Sequence, residues 1–112
     1  YFYKQFETDV LLEGDNTLTI DNISQEICYP IIIAETTDDI SNIIKINDMT
    51  LKLQVNEPIS IDNKMLTVLS ANGENKLTCC NRKWIKLLPG SNNLKLHGYG
   101  KVKIKAEFPV IL

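Results

Sequence analysis

Polar and apolar positions alternate most regularly near the C-terminal end of the chain. Val102, Ile104, Ala106 and Phe108 point one way while Lys101, Lys103, Lys105 and Glu107 point the other, the period of two that marks a half-buried strand. Leu94 and Leu96 alternate in the same manner with Asn93, Lys95 and His97. Between these runs Gly98-Tyr99-Gly100 reads as a chain reversal, so residues 93–108 are predicted as an antiparallel hairpin with one apolar and one charged face. Ahead of it, Pro89-Gly90 predicts a turn. Proline pre-sets φ at the second turn residue, and glycine supplies the positive φ that a type II turn needs next.

Upstream, residues 1–12 are aromatic and β-prone, and Glu13-Gly14-Asp15-Asn16 is a turn cluster. These first 16 residues read as a lead-in strand or linker, with residues 17–112 as the domain proper. Thr17–Ile20 is a short strand closed by Asp21-Asn22. Pro30 opens the apolar run Ile31-Ile32-Ile33-Ala34 at a position where its missing N–H is tolerated, and Thr36-Thr37-Asp38-Asp39 ends the run. Two hairpins are predicted, around Asn47-Asp48 and Asn63-Lys64. Asn72–Lys76 is a polar loop, and Leu77–Arg82, the least periodic stretch, is read as loop as well. No segment keeps helical apolar spacing across three turns. Roughly eight to ten short strands with frequent turn signals predict an all-β fold, an antiparallel β-sandwich.

Composition narrows this only a little. The 112 residues suit one domain, 44% of them apolar and 23% charged. Lys+Arg 12 against Asp+Glu 14 leaves a net charge of −2, which gives nucleic acid no reason to bind. No apolar run approaches the ~18 residues of a membrane span and no signal-peptide pattern is present, so no membrane partner is expected. The chain begins at Tyr1 rather than Met, as a piece excised from a longer protein would. Cys28 and the adjacent Cys79 and Cys80 make an odd count and a poor disulfide framework, so three free thiols and synthesis in a reducing compartment are expected. Adjacent cysteines lack the spacer of a zinc motif, and with one histidine in the chain neither a metal nor a cofactor is expected.

Candidate chemistry is sparse. His97 is the only histidine and sits on the polar side of its strand. Nucleophile-elbow, zincin and phosphate-loop motifs are missing, so the chain is not read as an enzyme. Asp38-Asp39 is read as a solvated turn. Trp84, beside Arg82 and Lys83, has two readings: a sugar-stacking platform, or a core cap shared with Leu87 next to the Pro89-Gly90 turn. Galectin-type sugar binding uses an H-x-N-x-R strand, of which His97-Gly98-Tyr99-Gly100-Lys101 keeps only the histidine. Arg82, Trp84, Lys95 and His97 form the candidate ligand or partner surface.

Several stretches together resemble the C-terminal domain of siphophage distal tail proteins. They are Thr17–Asn22, Tyr29–Ile33, the hairpin from Ile43 to Leu53, Ile59–Asp62, Asn72–Lys76 and Leu87-Leu88-Pro89-Gly90-Ser91-Asn92, the last matching an L-x-P-G-x-N core. The resemblance spans residues 17–112 and is sharpest in that last motif. It implies a galectin-like, jelly-roll type sandwich attached to a ring-forming N-terminal domain. It also implies a structural role at the virion tail tip, linking the tail to the receptor-binding apparatus, in a protein made in the host bacterial cytoplasm. Partners would be the tail tube and a receptor-binding or tail-fibre protein, with host saccharide as the alternative. The full-length protein would be a ring oligomer and this domain alone a monomer. Residues 1–16 would lead in from the ring domain, their aromatics pairing as an edge strand with Lys101–Phe108.

Overall fold

A computed structural model describes residues 2–37 and 41–110. The architecture is all-β and antiparallel, with seven strands among the described residues: β1 (Phe2–Asn22), β2 (Ile31–Glu35), β3 (Ile43–Ile46), β4 (Met49–Lys52), β5 (Ile59–Asp62), β6 (Thr67–Ser70) and β7 (Gly90–Val110). The strands are fewer and two are far longer than the turn signals suggested: β1 and β7 each run 21 residues. They pair along their whole length in one unbroken register, from Phe2↔Val110 to Asn22↔Gly90. The aromatic N-terminal stretch therefore does pair with the closing strand. The division expected at residue 16 falls inside β1.

Two turns read from the sequence are not turns. Glu13–Asn16 is strand interior, and so is Gly98-Tyr99-Gly100, so no hairpin forms within residues 93–108. On its other edge, β7 pairs first with β3 (Ile46↔Leu96, Lys45↔His97) and then with β2 (Glu35↔Lys101 to Ile31↔Lys105). The glycines sit where one partner gives way to the next. A Cβ on Gly98 would lie 2.9 Å from the Ile43 carbonyl oxygen, and one on Gly100 would overlap the Glu35 carbonyl. Their φ values, +146° and +152°, belong to the glycine-favouring range. These residues let two other backbones approach a continuous strand; they do not reverse it. Thr36 is fully buried at the same corner, its hydroxyl 2.9 Å from the Tyr99 carbonyl and 3.0 Å from that of Ser41.

The strand order β4-β3-β7-β2-β5-β6, with β1 on the opposite edge of β7, folds over at this corner into two layers. One layer joins β4 and β3 to the first half of β7, and the other joins β6, β5 and β2 to the second half. Their inward residues make one core, which includes Ile44, Ile46, Leu51, Ile32, Ile61 and Ile104, all fully buried. Val102, Ile104 and Phe108 face inward as the alternation demands, and Lys101 and Lys105 are exposed. Lys103 lies on the outer face but is only half-exposed, because acidic neighbours on β1 hold its side chain. Phe6 packs on Phe108 with ring centroids 6.0 Å apart, tilted by 43°.

The Asn47-Asp48 hairpin forms as predicted, with Asn47 at φ +52° and Ile46 facing Met49. The second hairpin is longer than predicted: Asp62 faces Thr67 across the four residues 63–66. Asp62 Oδ1 accepts the Lys64 and Met65 N–H groups at 3.0 Å each, which winds those residues into the turn and delays β6. Gly90 has the expected positive φ, +93°. The stretch read as loop contains a single 3-10 turn, Leu77–Cys79. Cys28, Cys79 and Cys80 are free. Asp38-Asp39 lies outside the described residues.

Two glycines in different surroundings separate backbone strain from steric exclusion. Gly14, at φ +109°, has open space around its missing Cβ. Gly14→Ala should therefore cost backbone strain alone, about 1–2 kcal/mol. Gly100→Ala should cost at least about 2 kcal/mol more, or prevent folding, because a carbonyl must move. Urea unfolding of both variants checks this; equal losses would mean that the close approach at Gly100 is unimportant.

Candidate interaction surface

Buried asparagines position the segment that carries Trp84. Asn63 is 1% exposed. Its Nδ2 donates to the Pro30 carbonyl at 2.7 Å, and its Oδ1 accepts the Ile85 N–H at 2.8 Å. Two residues on, Leu87 and Cys28 exchange backbone hydrogen bonds of 2.9 and 2.7 Å. Asn22 then adds a 3.0 Å bond from Nδ2 to the Leu87 carbonyl, while its Oδ1 accepts from Ser24. Asn92 closes the turn after Leu88 by accepting the Leu88 N–H at 2.9 Å and donating to the Leu88 and Gly90 carbonyls. Asn22, Asn63 and Asn92 thus satisfy the polar backbone of an irregular segment pressed on the core.

With Ile85 and Leu87 drawn inward, Trp84 is half-buried against the core and also lines a cleft of about 470 Å³. Asn47, Asp48, Arg82, Lys83 and Lys86 share that cleft. Arg82 is presented from a left-handed backbone position, φ +64°. The preceding Asn81 anchors this loop to the β3–β4 hairpin, accepting the Thr50 N–H at 3.0 Å and donating to the Asp48 carbonyl at 2.8 Å. Trp84 thus packs on the core, as the core-cap reading expects, and also lines the cleft.

The four residues singled out from the sequence do not form one site. Arg82 and Trp84 share the cleft. Lys95 adjoins its wall, because Asn47 exchanges 2.8 Å hydrogen bonds with the Lys95 backbone. His97 lies further along β7 and bonds across to β1, Nδ1 to Asp15 Oδ1 at 2.5 Å. No group of His, Cys, Asp and Glu that could hold a metal occurs among the described residues. No helix there is long and apolar enough to cross a membrane.

A second surface was not foreseen. On the outer face of β1, β7 and β2, a groove of about 570 Å³ is lined by Leu11, Ile33, Glu35, Lys101 and Lys103 among others. A depression of about 300 Å³ with Tyr29, Ile31 and Lys105 lies next to it. Lys103 reaches Glu7 at 3.1 Å and Asp9 at 3.9 Å. The hydrogen bond to Glu7, with the charge of Asp9, raises the Lys103 pKa and keeps it cationic. The signal for this surface was present as acidic residues at odd positions of β1 and lysines at odd positions of β7. It has meaning only once those strands are known to be neighbours.

No family model matches the chain, and no curated protein matches it. Among solved structures, the Dit protein of phage SPP1 superposes with a TM-score of 0.73 over 96% of this chain, at 12% sequence identity. The two share a fold. The SPP1 structure was presented as a paradigm of the hub adsorption apparatus of phages that infect Gram-positive bacteria. The match spans 47% of the SPP1 Dit chain.

Asn63→Ala should cost about 1–3 kcal/mol, because the Ile85 N–H is left buried without an acceptor. It should also shift the Trp84 emission to longer wavelength as its segment loosens. Unchanged stability and emission would remove Asn63 from this role. Burial pushes the Cys80 thiol pKa up. Alkylation of the folded protein should accordingly reach the half-exposed Cys79 before Cys28 and Cys80, and the unfolded chain should titrate three thiols.

Proposed function

We propose that this chain is a structural and docking module of a phage or prophage tail tip, linking the tail to the receptor-binding apparatus. The observation that carries this reading is the fold it shares with SPP1 Dit over 96% of its length. The resemblance of the L-x-P-G-x-N region to distal tail proteins points the same way. In this reading the partners are a receptor-binding or tail-fibre protein and the tail tube, and the site of action is the virion tail tip. The module by itself is a monomer without hydrolase activity, and ring assembly belongs to other parts of the full-length protein.

A second reading has its own support in the Trp84 cleft. An indole face beside a guanidinium and the amide of Asn47 suits a pyranose ring, which stacks its apolar face and bonds through its hydroxyls. This reading makes the module a binder of host cell-surface saccharide.

One experiment separates the two. The chain is used as bait for purified tail proteins encoded by neighbouring genes and, in parallel, applied to a glycan array. The docking reading expects capture of a tail protein, no selective glycan signal, and no loss of capture in Trp84→Ala. Selective glycan binding abolished by Trp84→Ala, with no tail protein recovered, would replace it with the saccharide reading.

A further inference from the structure

Among the described residues the fold covers two of its sheet edges and gives the longest, β1, no strand on its outer side. The segment from Glu74 to Asn81 serves both short edge strands. Along β6, Ser70 N–H donates to the Glu74 carbonyl at 2.9 Å and Lys76 N–H to the Val68 carbonyl at 2.7 Å. Along β4, Asn81 N–H donates to the Thr50 carbonyl at 3.2 Å, and Leu51 bridges Cys80. Along β1, the only strand partner among the described residues is β7. Outside that ladder no backbone–backbone hydrogen bond joins residues 4–22 to another described residue. An exposed strand edge is a template for another strand.

The chemistry of β1 restricts what could fit. Five of its outward residues, Glu7, Asp9, Glu13, Asp15 and Asp21, are exposed acids, interrupted by the exposed Leu11 and by Thr17 and Thr19. Glu13 and Asp21 face Tyr99 and Ser91 on β7 and have no ion-pair partner among the described residues. On the inward side Phe6, Val10 and Leu18 pack on the core but stay half-covered. A second copy docking β1 against β1 would set carboxylates opposite carboxylates, which is unfavourable. A strand with cations outward and apolar residues inward complements both faces. The second half of β7 already satisfies the other edge of β1 with this pattern, placing Lys105 and Lys103 opposite Glu7 and Asp9, and Ile104 and Val102 opposite Thr8 and Val10.

We propose that the free edge of β1 accepts an extended segment of a partner protein in which Lys or Arg alternates with apolar residues. This goes beyond the tail-tip reading and does not depend on it. The backbone ladder supplies affinity, the acidic row selects the charge, and the half-covered apolar row selects the register.

The test uses the whole 112-residue chain and a fluorescent peptide copying residues 101–108, Lys-Val-Lys-Ile-Lys-Ala-Glu-Phe. Saturable binding is expected, with slowed amide exchange in β1 and none in β4 or β6. Glu13→Lys with Asp21→Lys breaks no ion pair among the described residues and moves the edge by four units toward positive charge, so it should weaken binding about fivefold or more even though the octapeptide can lie beside only one of the two sites. Equal binding of a scrambled peptide of the same composition overturns the proposal. So does slowed exchange at β4 or β6 in place of β1, or a dimer that protects the β1 amides without peptide.

Discussion

The pairing of the first strand with the last is the contact on which the rest of this molecule depends. It joins residues from the two ends of the chain in one continuous register. Every other strand hangs, directly or through one or two neighbours, from the opposite edge of β7. Both layers therefore share one central strand, and their relative placement follows from the path of β7. Contacts so distant in sequence carry a large loop-closure cost before they reward the chain, the situation associated with slow folding of β topologies. The local hairpins β3–β4 and β5–β6 are the elements that can form before that closure.

A strand 21 residues long cannot serve two layers without a bend, and the bend falls where side chains have been removed. At Gly98 and Gly100 the backbones at Ile43 and Glu35 come closer to β7 than a Cβ would allow. Thr36 fills the same corner and gives its hydroxyl to a carbonyl there. Glycine and threonine thus have complementary roles, one admitting backbone and the other satisfying it.

The interior is apolar apart from the buried polar residues that tie down loops. Asn22 and Asn63 are buried because each bonds backbone groups that would otherwise be unpaired, and no buried side-chain polar atom among the described residues lacks a partner. By holding residues 84–92 on the core they place Trp84 beside Arg82. The charged rows of β1 and β7 face solvent on the opposite side of the pairing from that core. The edge of β1 and the Trp84 cleft are separate features of that surface.

Much of this was legible in the residues. The inward set Val102, Ile104 and Phe108, the Asn47-Asp48 hairpin, the positive φ of Gly90 and the β-sandwich class all follow from local rules of period and turn chemistry, which act over a few residues. Arg82 and Trp84 were recognisable as neighbours because they are close together in the chain. The rest required knowing which strands meet. Glycine in a strand pattern has the same local appearance whether the chain turns back or another backbone crosses close by, and only the presence of β2 and β3 beside β7 decides between them. The acidic row of β1 and the lysines of β7 are likewise two unremarkable solvent faces until pairing sets them side by side. Sequence determined which residues face in and which face out; tertiary structure decided what stands opposite each of them, because strand pairing is a long-range choice that no local pattern encodes.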